Sequence, residues 1–207
     1  LLQRSGSLPS HHHRSAAATR VCEMRKAKNP LHNGEEQYNY FLSVIFPDNQ
    51  MQIMAYNRVI KTLNGFSNQS FLKKLEEKFK ITPTQETSPS RSHSFGMFLG
   101  DQWYSLEFRK EFLQENDVVE KLDVSILQNH VLDPLLGIKD PRKDERISFV
   151  GGIKGTKPLE EKVRKQKEGV AFSLYPVSIQ ELMAIADAGR MMPPKSTWFE
   201  PKLRSGI

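Results

Sequence analysis

FGMFLGDQWYSLEF, residues 95–108, is the stretch that decides the fold class. Phe95 to Leu99 and Trp103 to Phe108 are apolar and aromatic runs of strand length on either side of Gly100-Asp101. Glycine at the first central position of a turn takes positive φ at little cost, so the two runs are expected to form a tight hairpin. Upstream, Ser67 reads as the N-cap of a helix through Phe79, with Phe71, Leu72, Leu75 and Phe79 at helical spacing opposite a Lys/Glu face. Thr82 to Ser92, rich in Thr, Ser and Pro, is expected to be a mobile loop. Downstream, Leu122 to Leu136 is periodic through Ile126, Leu127, Val131, Leu132 and Leu135. Pro134 must lie in the last turn of that helix or end it early.

Further out, a helix over 12–28 is stopped by Asn29-Pro30, and Asn33-Gly34 makes a turn. Tyr38 to Phe46 reads as a buried strand and Met51 to Ile60 as a second, ending at Asn64-Gly65. Pro158 to Lys167 is expected to be a charged surface helix and Val170 to Tyr175 a strand. Ser178 and Glu181 form a capping box for a helix that Gly189 stops. Strands and helices follow no strict βα alternation, so the expected class is α+β: a mixed β-sheet with packed helices, incomplete at the N-terminus. Phe41, Val44, Phe71, Leu75, Phe79, Ile126, Leu127, Phe172, Leu182 and Phe199 are the expected shared core.

The 207 residues suit one domain or a large piece of one, and twelve Phe can furnish a core. No run approaches the roughly 18 apolar residues of a membrane span, and Leu1 to Ser10 has no secretory h-region. One cysteine, Cys22, excludes an intrachain disulfide framework and points to a reducing compartment, read here as the cytoplasm. On its helix Cys22 reads as a small buried hydrophobe. The net charge of +6 favours anionic partners without choosing between nucleic acid and phosphorylated metabolites. Residues 1–11 read as a leader or gene-model error, and 12–207 as the C-terminal portion of one α+β domain.

Several motifs carry candidate chemistry. His12-His13-Arg14 opens a helix, where free backbone N–H groups and an Arg suit a phosphate; a tag remnant and an ordinary solvated turn are the competing readings. The adjacent histidines diverge on any regular backbone, so no metal site is expected from them. Lys195-Ser196-Thr197 resembles the end of a P-loop, but Met192-Pro193-Pro194 stands where glycines should cradle phosphate, and a rigid turn into a strand is the alternative. Asp123 and His130, seven apart, are either an acid–base pair on one helix face or a capping Asp and a half-buried His. Arg58 binds an anion or pairs with a carboxylate. Gly151-Gly152 is a turn or a close approach of backbone to ligand. The basic tract 154–167, interleaved with Glu160 and Glu161, reads as a solvated helix face rather than a nucleic-acid patch.

HHRSAAATRV (12–21), GEEQYNYFLSVIFP (34–47), YNRVIKTLNG (56–65), KLDVSILQNHVLDPLLGIKDPR (121–142), ISFVGG (147–152) and FSLYPVSIQELMAIADAGRMMPPKSTWFEPKLRSGI (172–207) together resemble one family. It is the set of conserved bacterial and archaeal proteins known as a domain of unknown function with an Ala-Asp-Gly-His-His-Arg motif. The resemblance covers residues 12 to 207, roughly the C-terminal half of a full member. Its motif is similar to the phosphate-handling motif of ParB and sulfiredoxin-type folds, among whose relatives is a free-serine kinase. The resemblance therefore implies a nucleotide-dependent phosphotransferase on serine or a similar metabolite, using ATP or ADP with Mg²⁺. His12, His13, Arg14, Arg58, Lys195, Ser196 and Thr197 would be phosphate ligands, with Arg14, Arg58 and Lys195 converging on one cleft. Ser10 and His11 stand where the family has Asp and Gly, so this chain alone is expected to transfer little phosphate. A non-enzymatic ParB-like module for nucleic acid or a metabolite is the alternative, and self-association is expected if an apolar patch is uncovered.

Overall fold

The computed structural model describes residues 12–41, 47, 50–166 and 168–200, with side chains from residue 17 onward. The chain divides into two compact units, Leu1–Gln52 with Pro201–Ile207, and Ile53–Glu200.

In the first unit, α1 spans His12–Lys28, as the Ala-rich sequence expects. Val21 and Met24 on it are exposed, and Cys22 is half-buried with its thiol 3.5 Å from Asn39 Oδ1. The loop after it is organised by Glu36. Its carboxylate accepts from Asn29 Nδ2, the Asn33 and Gly34 N–H groups and Asn39 Nδ2, and lies 2.9 Å from His32 Nδ1. Against the cost of burial, the backbone N–H groups, the Asn39 amide and His32 hold this carboxyl at about 2. The strand expected over 38–46 is corrected at its start. Gln37–Asn39 is a 3₁₀ turn, and Tyr40 and Phe41 are exposed, so Phe41 is not a core residue there. The Asn39 and Tyr40 N–H groups, which a ladder would have used, donate instead to the Glu36 and Gln37 carbonyls. Residues 42–46, including Val44, lie outside the described residues.

The second unit carries β1 (Gln52–Met54), β2 (Tyr56–Ile60), α2 (Asn68–Leu75), β3 (Phe79–Thr84), β4 (Ser94–Leu99) and β5 (Gln102–Phe108). After these come α3 (Asp123–Leu127), β6 (Ile147–Gly151), α4 (Lys157–Arg164), β7 (Val170–Leu174), α5 (Ile179–Asp187) and β8 (Trp198–Glu200). Among the described residues one sheet runs β3-β5-β4-β7-β2-β6, and β1 pairs with β8. The α+β class holds, and the ladders of the large sheet are antiparallel.

The hairpin forms as expected: Gly100 and Asp101 take φ of 55° and 65°, a type I′ turn whose twist matches the strands. Ser67 caps α2 by accepting from the Ser70 N–H, but the helix ends at Leu75 rather than Phe79. Phe79 instead opens β3 opposite Phe108, because its ring is needed against Phe95 and Phe108. The expected loop over 82–92 is shortened from the same side. Pro83 lies within β3, which it can do because β3 is an edge strand and needs no donor on its outer side.

The large sheet has two covered faces. Ile60, Met97 and Phe172 share one with Phe71 and Leu75 of α2, Ile126 and Leu127 of α3, and Ile185 of α5. Val59, Phe98, Trp103, Val150 and Ala171 share the other with Leu159 and Val163 of α4. The expected surface helix thus buries one stripe. Phe71, Leu75, Phe79, Ile126, Leu127, Phe172, Leu182 and Phe199 are all buried. No helix among the described residues is long and apolar enough to cross a membrane.

Candidate functional site

Arg58 lies in the middle of β2, opposite Phe149 of β6 and Phe172 of β7. That register puts its side chain on the face of the sheet covered by α2, α3 and α5. It is 3% exposed. Nη1 donates to the Tyr56 carbonyl at 2.6 Å and Nη2 to the Lys195 carbonyl at 3.3 Å. The guanidinium carbon sits 5.6 Å from the centre of the Phe149 ring. Among the described residues no carboxylate pairs with it. Burial pushes its pKa down to about 10, so it remains charged at neutral pH.

Arg58 lines a cleft of about 480 Å³ with Gln128, Asn129, Lys139, Arg142 and Pro194. One wall comes from α3 and the turn after it. There the helix widens: Asp133 N–H donates to the Gln128 carbonyl, five residues back, in a π-helical turn over Gln128–Leu132. The regular helix therefore stops well before Pro134. Gln128 Nε2 donates to the Ile138 carbonyl at 2.7 Å and anchors the Lys139–Arg142 loop. Asp140 takes both Nε and Nη2 of Arg142, at 2.9 and 3.0 Å, and is held at about 2 mainly by that pairing. Lys139 has no ion pair among the described residues. The cleft thus presents three cations and two carboxylates, Asp140 and Glu120, and its deepest charge is Arg58.

The opposite wall is the Pro193-Pro194 turn. Lys195 takes a left-handed φ of 55°, turning its carbonyl onto Arg58, while its ammonium lies 5.3 Å from the centre of the Tyr56 ring. Ser196 is buried and its hydroxyl donates to the Pro193 carbonyl, so it braces the turn; Thr197 is half-buried. Arg58 and Lys195 are thus adjacent despite 137 residues of separation. The side chains of His12, His13 and Arg14 lie outside the described residues.

Asp123 and His130 are not joined by a hydrogen bond among the described residues. Asp123, at the first turn of α3, accepts from the His93 backbone N–H at 2.8 Å. Burial, opposed by that bond and aided by Glu181, raises its pKa to about 7. His130 packs on Phe108 with ring centres 4.9 Å apart, and burial lowers its pKa. The π-helical turn between them breaks the regular seven-residue register on which a shared face depended. Gly151 meets the Trp198 ring, where a Cβ would come within 2.5 Å of it; the glycine serves close packing, not a ligand. Gln128, Asn129, Lys139 and Arg142 escaped the sequence reading. The signal present was the basic run Ile138-Lys139-Asp140-Pro141-Arg142 directly after an apolar helix.

The sequence matches the model of a family described as "Protein of unknown function (DUF1015)" over residues 12–125. The chain belongs to this family. No curated protein matches the sequence. Among solved structures, the chain is similar to a free serine kinase in complex with AMP, at 12% identity and a TM-score of 0.43, over 73% of this chain and 54% of that one. It is similar to a conserved hypothetical protein from Pyrococcus furiosus at 13% identity and a TM-score of 0.44, over 75% and 60%. It is also similar to SbnI from Staphylococcus aureus, with a C-terminal truncation, at 15% identity and a TM-score of 0.43, over 95% and 77%. The chain spans 54% of the length of that free serine kinase and 60% of the Pyrococcus furiosus protein. Among the described residues of this family member, no group of three or more His, Cys, Asp or Glu could hold a metal ion.

Proposed function

We propose that this chain binds the phosphate of a small anionic metabolite or nucleotide at Arg58, as the phosphate-holding part of a nucleotide-dependent phosphotransferase acting on serine or a similar small hydroxyl compound. The observation that carries the reading is a fully buried guanidinium that lines a cleft and has only carbonyls for partners. A buried charge without a counter-charge is costly, so it is retained where a ligand supplies the missing anion. Arginine offers five N–H donors in a planar fork, and two are engaged here, which leaves donors for two phosphate oxygens. Lys139, which also lines the cleft, adds a point charge that suits an anion without fixing its geometry. Val124, Pro193 and Pro194 give the wall an apolar part beside these charges.

The test is calorimetric titration of the full chain with inorganic phosphate, ADP and O-phosphoserine, repeated on Arg58→Gln. Loss of at least about tenfold in affinity for the phosphate-bearing ligands is expected, since a charged hydrogen-bonded contact is worth roughly 1.5–3 kcal/mol. Equal binding by the two proteins, with Arg58→Gln folded by circular dichroism, overturns the assignment.

A further inference from the structure

The segment Glu86–Arg91 crosses the sheet on the face opposite Arg58. Register shows this: Arg58 pairs with Phe172 and Phe172 with Met97, whereas Gly96 pairs with Ser173 on the other side of the sheet. The segment is tied down at Thr87, whose carbonyl accepts from Ser173 Oγ at 2.6 Å and whose hydroxyl meets Thr156 Oγ1 at 2.8 Å. Gly96 makes the crossing fit. A Cβ there would come within 2.3 Å of Ser173 Oγ and 2.9 Å of the Thr87 carbonyl.

Beneath this segment is a cavity of about 280 Å³. Its floor is the open end of the β4–β5 ladder, where Ser94 faces Glu107 and Gly96 faces Ser105. Ser94 is 6% exposed and lines the cavity. A hydroxyl on the wall of a polar cavity can donate to and accept from whatever polar group fills it. The rim carries both signs. Glu86 has no partner for its carboxylate among the described residues, while Arg91 holds Glu107 through Nη2 at 2.7 Å and keeps other N–H groups to spare.

We propose that this cavity is a second ligand site, for a small polar zwitterion with one ammonium and one carboxylate group. Glu86 takes the ammonium, Arg91 the carboxylate, and the Ser94 and Ser105 hydroxyls the polar end that reaches the floor. The lining is largely hydroxyl and charge, so it discriminates against apolar substituents, and its size admits a molecule of a few heavy atoms. The site does not depend on the phosphate reading, since it shares no residue with the Arg58 cleft.

The probe is glycine, titrated into the full chain and followed by amide chemical shifts, with methylammonium, acetate and glycerol as ligands that carry only one of the recognised groups. Saturable shifts at residues 86–96 and 105–107 with glycine, at least tenfold weaker with each control, are expected. Glu86→Gln should weaken glycine at least tenfold, Ser94→Ala several-fold, and Arg58→Gln not at all. Absence of saturable shifts with glycine overturns the proposal, as does glycerol binding as tightly as glycine, which would mark a polyol site. Because Glu86 is exposed, Glu86→Gln leaves the fold intact, and an unchanged glycine affinity in that variant also overturns it.

Discussion

On one face of the large sheet, α2, α3 and α5 bury Ile60, Met97 and Phe172 under a continuous apolar layer; on the other, α4 covers Val59, Phe98 and Ala171 and leaves Ser94 and Ser105 beside a polar cavity. Ionisable groups respond to that difference. The sealed side holds Asp123, raised to about 7, and Arg58, lowered to about 10, each mainly by burial. On the α4 side Arg164 stays at the surface and pairs: it meets Asp101 at 2.8 Å and Glu160 at 3.2 Å, and Asp101 raises its pKa. Sealing a face with helices provides the dry environment in which one guanidinium can dominate a cleft. Covering it partly keeps room for a polar ligand instead.

The contrast can be broken most directly in the cores. Phe172→Ala on the sealed face should cost about 3–5 kcal/mol, and Leu159→Ala under α4 about 2–3 kcal/mol, near the low end for Leu, because a lone helix can settle into the gap. Urea unfolding of both variants measures this, and equal losses would show that the two faces are equally rigid.

An effect of similar ceiling, and one with a sign, comes from Asp123. Its carboxyl titrates near 3.8 when unfolded and at about 7 when folded. Between those values the folded state holds a proton that the unfolded state has released, so this group's contribution falls as pH rises and is lowest above pH 7. Asp123→Asn keeps an acceptor for the His93 N–H and removes the charge. It should therefore gain stability over the parent as pH rises from about 4 to about 8, by at most about 4 kcal/mol. Melting temperatures across that range are the measurement. A difference independent of pH would place Asp123 in a wetter setting than its burial suggests. Smallest of the three, Ser178→Ala should cost about 1 kcal/mol by removing the cap of α5. Here the Ser178 hydroxyl accepts from the Glu181 N–H, and Glu181 reaches back to the Ser178 N–H. A loss well above that in thermal unfolding would mean that the Ser178–Glu181 pair also supports the buried Asp123 beside it.

Features governed by near neighbours were legible in the sequence. Gly100-Asp101, the Ser67 and Ser178 caps and the helix over 12–28 each depend on a few adjacent residues, and each formed where expected. Features settled by distant partners were not. Phe79 fits a helical stripe and a strand equally well, and only Phe95 and Phe108 decide between them. Tyr40 and Phe41 have strand composition, but Glu36 organises the chain just before them. The same holds for the cleft. Arg58 and Lys195 could each be singled out as candidates in the sequence, but it could not show that Lys195 would offer Arg58 a carbonyl. Gln128 and Asn129 reach the cleft on the π-helical turn, which has no periodic signature, and Lys139 on the loop that Gln128 anchors.

The placement of the two tryptophans gives the molecule a pair of built-in optical probes. Trp103 is sealed under α4 with its indole N–H donating to Glu160, while half-buried Trp198 lies against Tyr56 and Gly151 with its N–H on Glu200. Their emission should therefore separate into a blue component that follows the docking of α4 and a redder one that follows the seating of the C-terminal strand. Replacing either with Phe would assign the bands and let the two motions be watched in a single sample without an added dye.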